Sequence, residues 1–376
     1  MRLIHVSDLH IGKKMSETSL VEDQRYILKE IVRIVREEAA DCILISGDVF
    51  DSSQPSAEST DILDDFLTDL FDIGVKTFMI YGNHDSPERI AYGRSIFKRN
   101  NVHVSGSFEG KVESVTVTDG NGISVDICML PFVKPGIVRK YFPDSDIDDY
   151  TSAVRTVVDT IPVTDSKYRV LMAHQFVSSK GGSPERSESE DISVGGLDNV
   201  DVSVFDGFDY VALGHLHKPQ SVGRPTVRYC GTPLKYSKTE CNGPKSVTVV
   251  ELNDDVVVRT VPLVPLRDVR VVRGRLEDII DAGKGDPSPN DLIYAEITEM
   301  EKDAMSRLRQ VYPCTLNICL IKDSDTGGVQ TSLPEVERLD PVELFGRMFL
   351  EMRSMELTKE QQDIVRTLME ESKVME

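Results

Sequence analysis

Five apolar runs within the first 217 residues each end in aspartate, asparagine or histidine. They read LIHVSDLH, CILISGDVFD, TFMIYGNHD, VLMAHQ and YVALGHLH. An uninterrupted apolar run is typical of a parallel strand that is buried on both faces. Because α/β sheets bind their ligands at the carboxyl ends of parallel strands, we expect the polar tails of these runs to meet. The chain is therefore predicted to be an α/β protein with a polar site at a sheet edge.

The side chains expected at this edge are carboxylates, one amide and imidazoles, with no thiolate. They are Asp8, His10, Asp48, Asp51, Asn83, His84, His174, His215 and His217. This donor set suits a pair of divalent ions better than one structural zinc, and paired ions are used for phosphoester hydrolysis. Asp48 is the candidate bridge, because the two oxygens of one carboxylate can reach ions about 3.5–4 Å apart.

Four segments are predicted along the chain. Residues 1–258 alternate strands with helical stretches, which is the pattern of a layered α/β domain. Residues 259–325 contain short strands and one helical stretch, which predicts a small α+β domain. Residues 326–339 have the composition of a linker, and residues 340–376 are predicted to form helices.

The carboxyl-terminal helices have clear start signals. Asp340 followed by Pro341 fits a helix start, and Thr358 with Gln361 fits a capping box. Met348 and Phe349 lie on an apolar stripe of the first helix. This stripe suits packing within the chain or docking onto another protein, and the sequence leaves both possibilities open.

Composition constrains the compartment and the partners. The first strand begins directly after Met1 and no apolar run approaches the roughly 18 residues of a membrane span, so we expect a cytoplasmic protein. The six cysteines form no CxxC pair and are expected to be free thiols. The net charge of −20 argues against nucleic acid, but residues 277–376 account for −11 of it. Bound divalent ions would offset part of the remainder, so DNA is still compatible with the sequence.

Several residues near the motifs have two interpretations. Asp85 and Lys218 could support the ligands or belong to loops, and the segment 178–193 could overhang the site or be a loop without function. His5 is expected in the core and His103 at the surface. A basic group after the third motif could contact DNA phosphates or carry solvated helix charges. It comprises Arg89, Arg94, Lys98 and Arg99.

At this point the motifs resemble a known family. SDLHIG, GDVFD, GNHD, AHQ and GHLH resemble, in order, the sequence blocks of calcineurin-like metallophosphoesterases. The longer strings GDVFDSSQP, YGNHDSPERI, FDGFDYVALGHLHKPQ, GTPLKYSKTE and PLRDVR resemble the SbcD-type nucleases within it. The resemblance implies a layered αββα sandwich with a small α+β capping domain and C-terminal helices.

The resemblance also implies a role for each site residue. One manganese ion would be held by Asp8, His10, Asp48 and His217, and a second by Asp48, Asn83, His174 and His215. His84 would be the catalytic histidine that protonates the leaving oxygen, and the Asp51 carboxylate would orient it. Some relatives carry a second histidine where this chain has Asp51, which leaves open any exonuclease role assigned to that histidine.

The implied function is a manganese-dependent DNA nuclease, acting as an exonuclease on duplex ends and an endonuclease on single strands. It would work with an SbcC-type coiled-coil ABC ATPase in double-strand-break repair, close to the nucleoid and away from membranes. A homodimer within a heterotetramer is expected, with residues 53–70 and 87–99 near the dimer contact. The alternative is a metal-dependent phosphatase or small phosphodiesterase of the same superfamily, since the five motifs do not separate monoesters from diesters.

Overall fold

The computed structural model describes residues 1–179, 184–190, 198–299 and 301–321, together with residues 358 and 361. The chain divides into two compact units, Met1–Ile321 and Lys322–Glu376. The strands and helices given below belong to the first unit. In the part of the chain that is described, no helix is both long and apolar enough to cross a membrane.

The first sheet has six strands. In spatial order they are β16 (Val256–Leu263), β15 (Lys245–Leu252), β1 (Arg2–Val6), β4 (Cys42–Ser46), β5 (Lys76–Ile80) and β6 (Val102–Val104). Strands β1, β4, β5 and β6 are parallel, and β15 and β16 add to the β1 edge in antiparallel pairs. Two short strands, β2 (Lys14–Met15) and β3 (Thr18–Ser19), form a separate hairpin.

The second sheet also has six strands. They are β13 (Gln220–Val222), β14 (Arg224–Tyr229), β12 (Tyr210–Gly214), β9 (Tyr168–His174), β8 (Ser124–Leu130) and β7 (Glu113–Thr118). The four central strands are parallel and the two outer strands are antiparallel to their neighbours. A two-stranded ladder of β10 (Val177–Ser178) and β11 (Val200–Asp201) follows β9.

Helices cover the outer face of each sheet. They are α1 (Val21–Glu37) and α2 (Ala57–Asp72) on the first sheet and α5 (Pro135–Tyr141) and α6 (Tyr150–Val158) on the second. Strand β4 shows why its sequence is apolar throughout: Ile43 and Ile45 pack in the core with α1, while Leu44 packs between the sheets with Phe78. The predicted αββα sandwich is therefore confirmed. Two single-turn helices, α3 (Pro87–Ile90) and α4 (Arg94–Phe97), follow β5.

Within the first compact unit, a small group of strands and helices follows β16. It consists of β17 (Val269–Gly274), α7 (Leu276–Gly283), β18 (Leu292–Ile297), α8 (Ala304–Leu308) and β19 (Thr315–Leu320). The three strands are parallel, and the helices share a core with Ile293 and Ile297. Strand β16 continues past the predicted boundary at residue 258 and pairs with β15 as far as Leu263. The domain boundaries themselves remain predictions.

Most of the predicted linker and carboxyl-terminal helices, residues 326–376, lies outside the described residues. Thr358 and Gln361 are described and form the predicted capping box. The Thr358 backbone N–H donates to Gln361 Oε1 at 3.0 Å, and the Gln361 backbone N–H donates to Thr358 Oγ1 at 3.3 Å. All six cysteines lie in the described region and are free thiols, three of them buried and three half-buried.

Candidate metal centre

The carboxyl ends of five strands bring the candidate site residues together. Asp8 and His10 follow β1, Asp48 follows β4, and Asn83 with His84 follows β5. His174 ends β9, and His215 and His217 follow β12. Three of these strands belong to the first sheet and two to the second. The site is therefore built where the carboxyl edges of the two sheets meet.

The backbone is left-handed at four of these residues. The φ angle is 52° at Asp8, 45° at His10, 47° at Asp48 and 103° at His215. This conformation costs a residue with a Cβ about 1–2 kcal/mol. The described residues include eight such non-glycine positions, so half of them fall on candidate ligands. Strain concentrated in this way is typical of a functional site whose surroundings hold it in place.

Glycines in the motifs allow the turns to approach one another. A Cβ on Gly82 would overlap the backbone nitrogen and carboxylate of Asp48. A Cβ on Gly214 would overlap the carbonyl oxygen of Ser46 and lie 2.7 Å from His174 Nδ1. The glycine before Asn83 and the glycine before His215 are therefore needed for space.

One group of ligand atoms surrounds His10. Its Nε2 lies 3.1 Å from His217 Nε2 and 3.8 Å from Asp48 Oδ2. Single ligand atoms of Asp8, His10 and His217 all lie within 4.8 Å of one another. These side chains are buried. Together with Asp48, they are the set that the family resemblance implies for the first ion.

A second group surrounds Asn83. Its Oδ1 lies 3.1 Å from His174 Nε2 and 3.0 Å from His215 Nδ1. His174 Nε2 is in turn 3.3 Å from Asp48 Oδ2. Asp48 thus contacts both groups, as a bridging carboxylate must.

The chemistry of the donor set fits divalent metal ions. Nitrogen atoms of four imidazoles converge with two carboxylates and one amide in a largely buried cluster, which is the kind of donor set that borderline divalent ions prefer. Burial lowers the pKa of His215 to about 3 and that of His217 to about 4. Both rings are therefore neutral at pH 7, and the neutral imidazole is the form that binds metals.

The carboxylates of the cluster are strongly perturbed. Burial raises the pKa of Asp8 to about 7. Burial also acts to raise the pKa of Asp48, but the His174 imidazole beside it outweighs this effect and holds the pKa below its usual range. Burial acts to lower the pKa of His174, but the neighbouring Asp48 carboxylate outweighs this effect and raises that pKa to about 9. Metal binding at this pair would displace a proton from His174.

His84 lies at the rim of the cluster. Its backbone N–H donates to Asp48 Oδ1 at 2.9 Å, and its Nε2 is 3.9 Å from Asp48 Oδ2. Its ring packs edge-on against that of His10, with centroids 4.9 Å apart. The side chain is 21% exposed, whereas that of His10 is fully buried. The His84 side chain is therefore partly accessible to solvent.

Asp51 differs from the sequence expectation. Its carboxylate was expected beside His84, but its Oδ1 lies 2.7 Å from Lys13 Nζ and 3.2 Å from His10 Nδ1. The Asp51 atom that lies near His84 Nδ1 is the backbone carbonyl oxygen, at 3.3 Å. The Asp51 carboxylate is thus paired with Lys13 and His10, and the Asp51 group beside His84 Nδ1 is the backbone carbonyl.

Asp85 supports the ligand turns. It is buried, and its carboxylate accepts backbone hydrogen bonds from Val49, Phe50 and Gly82 at 2.9–3.0 Å. These bonds join the turn after β4 to the turn after β5. The supporting interpretation of Asp85 thus agrees with the structure, and its position directly after His84 was the signal in the sequence.

Other supporting residues could not be identified from the sequence. The Gln24 side chain donates to the His10 carbonyl at 2.7 Å from the buried face of α1, and Tyr236 donates to the Leu9 carbonyl at 2.6 Å. Tyr236 belongs to GTPLKYSKTE, a string noted for its resemblance but given no role. Gln24 lies on the apolar stripe of α1, and a polar residue on that stripe is a weak signal in the sequence.

The remaining histidines and loop residues have mixed outcomes. His5 is buried in the core, with Nδ1 2.9 Å from the Tyr210 hydroxyl, as expected. His103 is half-buried and stacks on Phe78 with centroids 4.8 Å apart, so the expectation of a surface residue was wrong. Lys218 pairs with Glu185 at 3.2 Å.

Sequence comparisons with known proteins agree with the resemblance carried by the motifs. A family model described as Calcineurin-like phosphoesterase matches residues 1–219, and one described as Type 5 capsule protein repressor C-terminal domain matches residues 265–353. Two curated relatives are both named as the SbcD component of the nuclease SbcCD. The one from Staphylococcus epidermidis is 29% identical and the one from Staphylococcus saprophyticus 30% identical, each over 98% of both chains. A dimetal phosphatase structure from Danio rerio aligns at 12% identity and a TM-score of 0.42, over 70% of this chain and 96% of that chain.

Proposed function

We propose that the chain, which belongs to the calcineurin-like phosphoesterase family, is a metal-dependent nuclease that hydrolyses phosphodiester bonds in DNA. The observation that carries the proposal is the contact of Asp48 with both groups of candidate ligands. The names of two relatives that match this chain over 98% of its length favour a nuclease over a phosphatase.

We propose that the site holds two Mn²⁺ ions. Asp8, His10 and His217 would hold one, Asn83, His174 and His215 the other, and Asp48 both. When bound, such ions lower the pKa of a coordinated water and neutralise charge on the phosphate. The protein contributes a rigid set of ligands, since Gln24 and Asp85 fix the turns that carry His10 and Asp48.

His84 would protonate the leaving oxygen of the cleaved phosphodiester. Its backbone N–H bond to Asp48 and the Asp51 carbonyl near its Nδ1 fix the ring at the exposed rim. In the protonated ring, Nδ1–H would donate to the Asp51 carbonyl and Nε2–H would act as the acid. Asp51 would therefore orient the catalytic histidine through its main chain.

Cations near the rim support a phosphate-bearing substrate despite the net negative charge. Lys13 lies beside Asp51, and the Arg186 guanidinium lies 4.0 Å from the centre of the Phe176 ring. The Phe176 ring is in turn 6.4 Å from that of His215. Arg186 belongs to the segment 178–193, so its described part brings a cation towards the site.

Homodimerisation is proposed from a patch beside α2, α3 and α4. Tyr92 is 82% exposed and Ile96 66% exposed, and they lie close together along the chain. Exposed apolar side chains that form a patch can mark a protein contact. A cavity of about 710 Å³ next to them is lined by apolar residues such as Leu63 and Leu67 and by charged residues such as Asp61 and Glu88. A second copy related by a two-fold axis could bury both features and place two sites on one DNA.

An SbcC-type ATPase is the proposed partner, since the relatives are named as components of SbcCD. Such a nuclease works where chromosomal DNA lies, and we propose a cytoplasmic, nucleoid-associated location. Residues 341–372 would dock onto the base of the ATPase's coiled coil. Deleting residues 337–376 should remove capture of the ATPase in a pull-down while Mn²⁺ binding persists, because every proposed ligand precedes residue 218. Undiminished capture would contradict the docking role.

The function is tested by purifying the chain, removing metals and adding Mn²⁺. We expect cleavage of linear duplex DNA and of single-stranded DNA, with little hydrolysis of p-nitrophenyl phosphate. EDTA should abolish cleavage. Rapid hydrolysis of the phosphate monoester without DNA cleavage would favour the phosphatase alternative and contradict the proposal.

A further inference from the structure

His217 is held by a buried polar cluster on the side away from the other ligands. The ring Nδ1 lies 2.6 Å from Ser189 Oγ, and Ser189 Oγ lies 2.6 Å from Glu240 Oε1. Lys245 Nζ lies 2.6 Å from the other carboxylate oxygen of Glu240. Glu240 and Lys245 are both buried, and neither had a role in the sequence analysis.

The direction of these hydrogen bonds follows from their chemistry. An ionised carboxylate paired with an ammonium group can only accept, so the Ser189 hydroxyl donates to Glu240. Ser189 Oγ then accepts from the imidazole, and His217 Nδ1 must carry the proton. If His217 carried its proton on Nε2 instead, the Ser189 hydroxyl would have to donate to His217 Nδ1. Ser189 Oγ and Glu240 Oε1 would then lie 2.6 Å apart with no proton between them. His217 Nε2 therefore bears the lone pair, and it is the atom that faces His10 Nε2 at 3.1 Å.

The main chain of His217 is fixed by the same cluster. Its N–H donates to Glu190 Oε1 at 2.7 Å, and its carbonyl accepts from Lys245 Nζ at 2.9 Å. Lys245 also donates to Thr232 Oγ1 at 2.6 Å. Residues 184–190 thus supply the contacts to the ring Nδ1 and to the main-chain N–H, which gives this part of the 178–193 segment a defined task.

We infer that Ser189 and Glu240 are positioning residues that hold His217 in the tautomer required to present Nε2 to a divalent ion. The inference rests on the proposed metal site. Partners of this kind, behind a ligating histidine, typically change metal affinity by about 10–100-fold when they are removed. The relay is a serine between imidazole and carboxylate, so a one-atom change at Ser189 interrupts it.

The first test is calorimetric titration of the metal-free protein with Mn²⁺. Ser189→Ala should weaken one of two binding steps by about 10–100-fold, and Ser189→Thr should restore it because the hydroxyl is kept. The matched control is Ser237→Ala, because Ser237 Oγ also donates to Glu240 Oε1 at 2.9 Å but bonds to neither Ser189 nor the His217 ring. Ser237→Ala should bind Mn²⁺ as the unaltered chain does. Equal affinity for Ser189→Ala and the unaltered chain would overturn the inference.

The second test reads the tautomer directly and needs no metal. Nitrogen NMR of the ¹⁵N-histidine-labelled, metal-free chain should show the proton of His217 on Nδ1, and Ser189→Ala should give a mixture of tautomers. A purely structural role would change the melting temperature without moving this signal. Protonation at Nε2 in the unaltered chain would refute the relay. Failure of the unaltered chain to bind Mn²⁺ would instead contradict the proposed function.

Discussion

Asp48 and His174 lie on different sheets, yet Asp48 Oδ2 is only 3.3 Å from His174 Nε2. Asp48 follows β4 of the first sheet, and His174 ends β9 of the second. The packing of the two sheets therefore sets the distance between the bridging carboxylate and a ligand of the second ion. A core change between the sheets should disturb the site even when it is remote from every ligand.

Loss of His84 and loss of a ligand should be distinguishable. His84→Asn should keep Mn²⁺ binding and DNA binding but reduce cleavage by a factor of about 10²–10⁴, since it removes only the proton donor. His217→Ala should lose both cleavage and at least one Mn²⁺. Metal content by mass spectrometry and cleavage rates on the same preparations provide the check. Full activity in either variant would contradict its assigned role.

Gly214→Ala should destabilise the fold and weaken metal binding. The added methyl group would overlap the Ser46 carbonyl and crowd His174, and overpacking of this kind costs about 1–3 kcal/mol or more. Gly120→Ala is the control, because nothing lies within 4 Å of a Cβ there. Denaturant unfolding of both variants measures the difference, and equal stability would show that the turns can separate without cost.

Charged residues in the exposed patch should break the proposed dimer. Tyr92→Glu and Ile96→Glu should each convert a dimer into a monomer in light scattering, because burying an unpaired carboxylate opposes association. Val163→Glu serves as the control, since Val163 is 79% exposed but lies far along the chain from α3 and α4. A dimer that persists in both patch variants would rule out this surface.

Stability should fall in acid because of His5. Burial lowers its pKa from 6.5 to about 3, so below pH 6.5 the unfolded chain binds a proton that the folded chain excludes. The contribution of His5 to the free energy of unfolding is complete above pH 6.5. It falls as the pH decreases, by about 2 kcal/mol at pH 5. In His5→Gln, the loss of unfolding free energy between about pH 7 and pH 5 should be smaller by that amount. His103→Gln should have less effect, because His103 is only half-buried.

Much of the fold could be predicted because buried parallel strands leave a plain signal. The runs ending at Ser46, Ile80 and His174 are strands, and their polar tails do converge. Apolar runs could not show which strands belong to which sheet, because strands of both sheets are buried on both faces and look alike in sequence. Only the family resemblance supplied the division into two sheets. The local sequence pattern therefore predicted the strands, but it did not predict that the site forms between the edges of two sheets.

The supporting residues were harder to predict for a different reason. Glu240 and Lys245 acquire their role near His217, which is more than twenty residues away in sequence. A Glu or Lys is ordinarily a solvated charge, so neither residue stands out in the sequence. The orientation of Asp51 was missed because Lys13, whose ammonium attracts the carboxylate, precedes it by 38 residues. Long-range charge pairing leaves no periodic trace in a single sequence.

The central claim is that Asp48 joins two ions in one site, and anomalous diffraction from crystals soaked in Mn²⁺ tests it most directly. We expect two peaks about 3.5–4 Å apart on either side of the Asp48 carboxylate. One would be bounded by Asp8, His10 and His217, and the other by Asn83, His174 and His215. Both peaks should persist in His84→Asn. A single peak, or two peaks that do not share Asp48, would contradict the account.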